Sequence, residues 1–189
     1  GGEWRVEHQR LKWKVLEDFA TACVEAGIPR TRDFNRGDNE GVDYFEVNQR
    51  SGWRWNTSKA FLRNAEKRSN LTLWHSTHVL GLETENAGSG PRCVGVRVER
   101  SGGDDVIARA KREVILSAGA IGSPQLLQLS GIGPADLLKE HGIDVVADLP
   151  GVGENLQDHL QIRSVYKVKG VTTLNTMANS LIGKARIGL

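Results

Sequence analysis

An imidazole beside a carboxylate can pass a proton near neutral pH, and Asp158-His159 is such a neighbour pair. Adjacency along the chain does not bring two side chains into contact, so residue types alone do not make the pair catalytic. His75 and His78 stand three apart in a stretch read as a strand. That spacing sends their side chains to opposite faces and rules them out as ligands of one metal ion. His141 falls at a predicted helix end, where a cationic side chain suits the dipole, and His8 lies in a polar arm without a motif. Ser123 follows Gly122 in the manner of a nucleophile, yet Pro124 directly after it marks a helix start, so its hydroxyl is read as a cap. No nucleophile elbow, phosphate-binding lysine loop or cysteine ligand set is present. Trp53 and Trp55 share one face of a predicted strand, which suits a quaternary ammonium group, although packing is the simpler use of that face.

Periodicity locates the elements that carry these residues. At the centre lies 114–133, VILSAGAIGSPQLLQLSGIG. Val114, Ile115 and Leu116 read as a short buried strand, and 117–120 as a turn of small residues. Ser123 and Pro124 then open a helix that Gly131 stops. A strand, a small-residue turn and a helix N-terminus let a ligand approach backbone N–H groups closely. The same pattern also serves as a packed βα turn with no ligand.

Upstream, 11–26 carries Leu11, Val15, Leu16, Phe19, Cys23 and Val24 at helical spacing and is closed by Gly27 and Pro29. A turn-rich loop fills 31–41, and 42–55 reads as a hairpin turning at 49–52. Asn56 or Thr57 caps a helix running to 65. Residues 71–83 alternate as one or two strands and 86–91 form a flexible turn. Strands at 93–99 and 106–110 complete an antiparallel meander that feeds 114–116. Downstream come a helix at 134–141, a strand at 143–147, the start of another sheet at 162–168 and a helix-tending tail.

Composition sets outer bounds. With 189 residues, 39% hydrophobic and 25% charged, the chain reads as a soluble globular α/β protein able to bury a core. A net charge of +2, interspersed, argues against a nucleic-acid or polybasic membrane surface. No apolar run approaches the roughly 18 residues of a membrane helix, and the opening residues do not form a signal peptide. Cys23 and Cys93 lack metal-type spacing and are read as reduced thiols.

The string 119–133, GAIGSPQLLQLSGIG, resembles the second sequence signature of the glucose-methanol-choline (GMC) family of FAD-dependent oxidoreductases. The block 148–159, DLPGVGENLQDH, resembles the segment that follows it there, with the choline dehydrogenase-like branch most similar. The resemblance implies part of a Rossmann-like FAD-binding domain at 38–158, with pieces of an antiparallel-sheet substrate domain at 1–37 and 159–189. Carried over residue by residue, it sets the Val79 backbone against the adenine of FAD and Ser117, Ala118 and Gly119 along the adenosine and ribose. Asn155, Gln157, Asp158 and His159 then stand close to the flavin as support. No catalytic residue and no metal ligand is implied here, because the family's catalytic histidine lies nearer the C-terminus. The family's N-terminal GxGxxG has no match either, so the resemblance covers the middle third of a full-length member, and the chain alone is expected to be inactive.

By the same resemblance, the reaction is oxidation of a primary alcohol such as choline to the aldehyde. The implied partners are that alcohol, a quinone-type acceptor or oxygen, and the remainder of the parent polypeptide; nucleic acid is not among them. A different alcohol or an oxygen-using oxidase is the alternative within the family. A non-catalytic α/β binding or assembly module is the alternative outside it.

Overall fold

The computed structural model describes residues 2–187. They fall into two compact units, Leu73–Ile162 and a second made of the residues up to Thr72 with those from Arg163 onward. No helix among the described residues is long and apolar enough to cross a membrane.

The discontinuous unit opens on a two-residue strand, β1 (Glu7–His8), and then helix α1 (Lys14–Glu25), three residues shorter at its start than the apolar spacing predicts. Leu11 lies outside the helix and is exposed, while Ala20 is buried. Strand β2 (Glu46–Val47) pairs antiparallel with β1, and β3 (Gln49–Arg50) pairs with β4 (Trp53–Arg54). The predicted hairpin is therefore divided. Its first half joins the N-terminal arm, and its turn shrinks to Ser51-Gly52, whose φ values of 53° and 85° are those of a two-residue turn matched to strand twist. A π-helical turn, Ser58–Leu62, runs into α2 (Arg63–Ala65). Asn56 is its cap: the Asn56 Oδ1 accepts from the Lys59 N–H at 3.0 Å, whereas Thr57 makes no such bond.

Polar bonds stitch this unit together. Arg30 donates to Glu17 and to Asp43, each at 3.3 Å, and the Glu17 hydrogen bond is the main cause that raises the guanidinium pKa. The Trp55 Nε1–H donates to the Glu3 carbonyl at 2.9 Å, and Arg50 covers the same ring at 5.1 Å. Trp53 is 77% exposed, so its side chain is not packed as the simpler reading of that face expects.

The Leu73–Ile162 unit is built on a three-stranded antiparallel sheet of β5 (Thr77–Ala87), β6 (Gly90–Arg100) and β7 (Asp105–Arg109), in that order. Strand β5 starts later than predicted because Ser76, at φ 49°, breaks the extended backbone. It also runs through the predicted flexible turn: Asn86 pairs with Pro91 and Ala87 with Gly90, leaving a turn of Gly88-Ser89. A register shift between Val79 and Gly81 bulges β5 at Leu80. Val98, 2% exposed, is the buried centre of the sheet.

Helix α3 (Gly119–Leu129) is followed by β8 (Ile132–Gly133), α4 (Ala135–Glu140) and β9 (Ala147–Asp148), which pairs parallel with β8. The predicted strand at 143–147 is confined to its end. Two more predicted strands do not form. Val114, Ile115 and Leu116 have no ladder partner among the described residues, and Ile115 is 79% exposed instead of buried. Residues 162–168 likewise lack a partner strand, and Val165 is exposed. In the tail, α5 (Leu174–Ala178) starts at a Thr173–Thr176 capping box, and α6 spans Leu181–Ile187.

Candidate cofactor site

Helix α3 begins at Gly119 and not at Pro124. Its N-cap is Ala118, which offers no side-chain cap, and Ser123 instead reaches back so that its Oγ accepts from the Ala118 N–H at 3.0 Å. Gly119 takes φ +85°, a turn into the helix that a side chain would strain. Pro124, inside the helix, has no N–H to give, so the Ala120 carbonyl lacks its usual donor one turn on. No acidic side chain stands in the first turn to offset its positive end.

Two clefts open on neighbouring faces of α3. The first, about 690 Å³, lies between the helix, the sheet and the 114–118 strip. Gly122, Gln125, Leu126 and Leu129 line it, at the i, i+3, i+4, i+7 spacing of one helical face. His78, Val79, Leu82 and Val96 form the sheet wall. The second cleft, about 480 Å³, lies between α3 and the 153–157 arm; Ile121, Pro124, Gln125 and Gln128 line it at that same spacing. Gln125 faces both.

Ser130 fastens the first cleft. Its Oγ accepts from the Leu82 N–H at 2.8 Å and its hydroxyl donates to the Leu126 carbonyl at 2.6 Å. Strand β5 is an edge of the sheet, and Ser130 takes up one of its N–H groups close to the bulge beside Val79. The arm of the second cleft follows from β9. The Leu149 N–H donates to the Gly133 carbonyl at 2.9 Å, and the Ala135 N–H donates to Asp148 Oδ1 at 3.0 Å. Asn155 then takes φ +57°.

Val79, Ser117 and Ala118 come together in the first cleft, and Asn155 and Gln157 in the second. Gly119 stands at the helix start between Ala118, which lines one cleft, and Ala120, which lines the other. Asp158 and His159 line neither; both are exposed, and the Asp158 carboxylate accepts the His159 backbone N–H at 2.8 Å. On the sheet wall only Val79 was assigned from the sequence; His78, Leu82, Val96 and both faces of α3 were not, and the mixed residue types of 121–129 gave no signal for them. Among the described residues no three His, Cys, Asp or Glu groups gather as a metal site.

Comparison with known proteins assigns the scaffold. The family model described as GMC oxidoreductase matches residues 3–161. The chain belongs to the GMC oxidoreductase family. It is 46% identical over 174 residues to an oxygen-dependent choline dehydrogenase of Brucella anthropi, covering 92% of this chain and 30% of that protein. An alcohol dehydrogenase [acceptor] of Pseudomonas putida is 40% identical over 189 residues, covering 100% of this chain and 33% of that one. Among solved structures, a formate oxidase of Aspergillus oryzae superposes with a TM-score of 0.75 at 33% identity, over 84% of this chain and 27% of that chain. The GMC sequence thus spans about a third or less of these relatives' lengths.

Proposed function

We propose that this chain supplies part of the FAD site of an enzyme that oxidises an alcohol, with choline or another primary alcohol as substrate. One observation carries the reading: a single helix, open at its positive end, forms a wall of two clefts that hold five of the eight residues assigned to the cofactor. The largely apolar first cleft suits a flat ring, and the start of α3, whose own first turn carries no acidic side chain, suits anionic oxygens further along, with Glu154 on the wall of the second cleft as the one carboxylate there. The residues present therefore fit FAD. Bound FAD supplies the acceptor for the hydride that leaves the alcohol carbon.

In this reading Val79, Ser117, Ala118 and Gly119 hold the adenosine side, while Asn155 and Gln157 stand toward the flavin, with Asp158 and His159 beside them as support. No acid–base role is assigned to this chain. Residues 38–158 belong to the FAD-binding part, and 1–37 and 159–189 to the substrate part. The names of the choline and alcohol dehydrogenases among its relatives support the alcohol; an oxygen-using enzyme and a quinone-type acceptor are the two forms the electron outlet takes.

Titration of FAD into a full-length protein that carries this sequence tests the cofactor assignment. Saturable quenching of flavin fluorescence is the expected result, and none up to high micromolar FAD overturns it. On a full-length protein that carries this sequence, anaerobic bleaching of the flavin by choline, or by another primary alcohol, identifies the substrate, and oxygen uptake identifies the acceptor.

A further inference from the structure

We propose that Gln128 is a positioning residue of this site: its side-chain amide holds the 150–157 arm against α3 and so fixes where Asn155 and Gln157 stand. The functional consequence rests on the FAD reading above; the clamp itself rests on geometry. The half-buried Gln128 Nε2 donates to the Val152 carbonyl at 3.0 Å. Among the described residues it is the one hydrogen bond between the arm and the helix. The bonds from the Val152 N–H to Leu149 at 3.1 Å and from the Glu154 N–H to Gly151 at 3.3 Å are turns local to the arm.

The chain is carved to admit this side chain. A Cβ on Gly153 would stand 2.8 Å from Gln128 Nε2, and one on Gly133 would stand 3.0 Å from Gln128 Cγ. Two glycines from separate elements leave the path open, and the amide supplies an N–H donor that the Val152 carbonyl accepts. Beyond the grip, Asn155 at φ +57° keeps a conformation that depends on its surroundings for support. Ser130, two residues on, ties the same end of α3 to β5. The last turn of the helix therefore fastens both walls, one through each side chain.

Gln128→Met keeps the length and loses the donor; Gln128→Glu keeps the shape and sets an acceptor against the carbonyl. Amide hydrogen exchange and the flavin absorption spectrum are read on an FAD-loaded full-length protein that carries this sequence. Both variants are expected to exchange about fivefold faster at 150–157, the scale of one lost hydrogen bond, with a shifted flavin band. Exchange at 77–100 stays unchanged and reports that the fold is intact. A filler of space would be replaced by methionine without effect, so unchanged exchange at 150–157 in both variants overturns the clamp. Faster exchange with an unmoved flavin band overturns its link to the cofactor. Failure of the FAD reading shows separately, as absence of flavin binding in the unsubstituted protein.

Discussion

In the Leu73–Ile162 unit one eleven-residue strand lies against another and a helix closes over them through Ser130. In the discontinuous unit the paired strands are two residues long, and an arginine between two carboxylates stands where a sheet would. The first is fastened by a long ladder, interrupted at Leu80 and between Glu83 and Thr84, and by buried residues such as Val98 and Leu138; the second by short ladders, exposed polar bonds and the small buried residues Ala20 and Ala60. The longest strand pairing thus lies where the clefts are, in keeping with a site that must hold a ligand in one geometry. Local opening is expected to be easier in the discontinuous unit.

The sharpest way to break this contrast is Gly131→Val. Gly131 sits at φ +79°, and its carbonyl accepts from the Val146 and Ala147 N–H groups at 2.8 and 3.1 Å. A built Cβ there collides with the Asp144 carbonyl and the Val146 side chain. Strain and clash together should cost about 3 kcal/mol or more, read as loss of the cooperative urea transition of the Leu73–Ile162 unit. Leu126→Ala, at a buried position on the first cleft, should cost about 2–4 kcal/mol in the same measurement and weaken flavin quenching. Ser130→Ala leaves the Leu82 N–H without its partner, for about 1–3 kcal/mol, and should speed exchange at that amide more than at Val98. Arg30→Gln removes two exposed ion pairs of the discontinuous unit, and no resolvable change in thermal midpoint is expected. A large loss there would erase the distinction between the units.

Periodicity made α1, β6, β7 and α4 legible, because each satisfies its own backbone or pairs with a near neighbour in sequence. The strip 114–116 has the composition of a strand and is not one, since a ladder needs a partner and none of the described residues provides it. Helix α3 was placed too late because Ser123-Pro124 matches the usual start signal, whereas the turn at Gly119 starts it and Ser123 reaches back to Ala118. The clefts were partly legible. The family resemblance pointed to Val79, Ser117, Ala118, Asn155 and Gln157, but Leu82 and Val96 come to the first cleft through strand register, and no local pattern shows that.

Hydrogen exchange across the protein, with and without FAD, tests most directly whether α3 is the common wall of the cofactor site. Slowed exchange at 114–129 and at 152–157, with α1 and the strands at 46–54 unchanged, is the result expected. Protection confined to one side of α3, or lying outside both clefts, would contradict it.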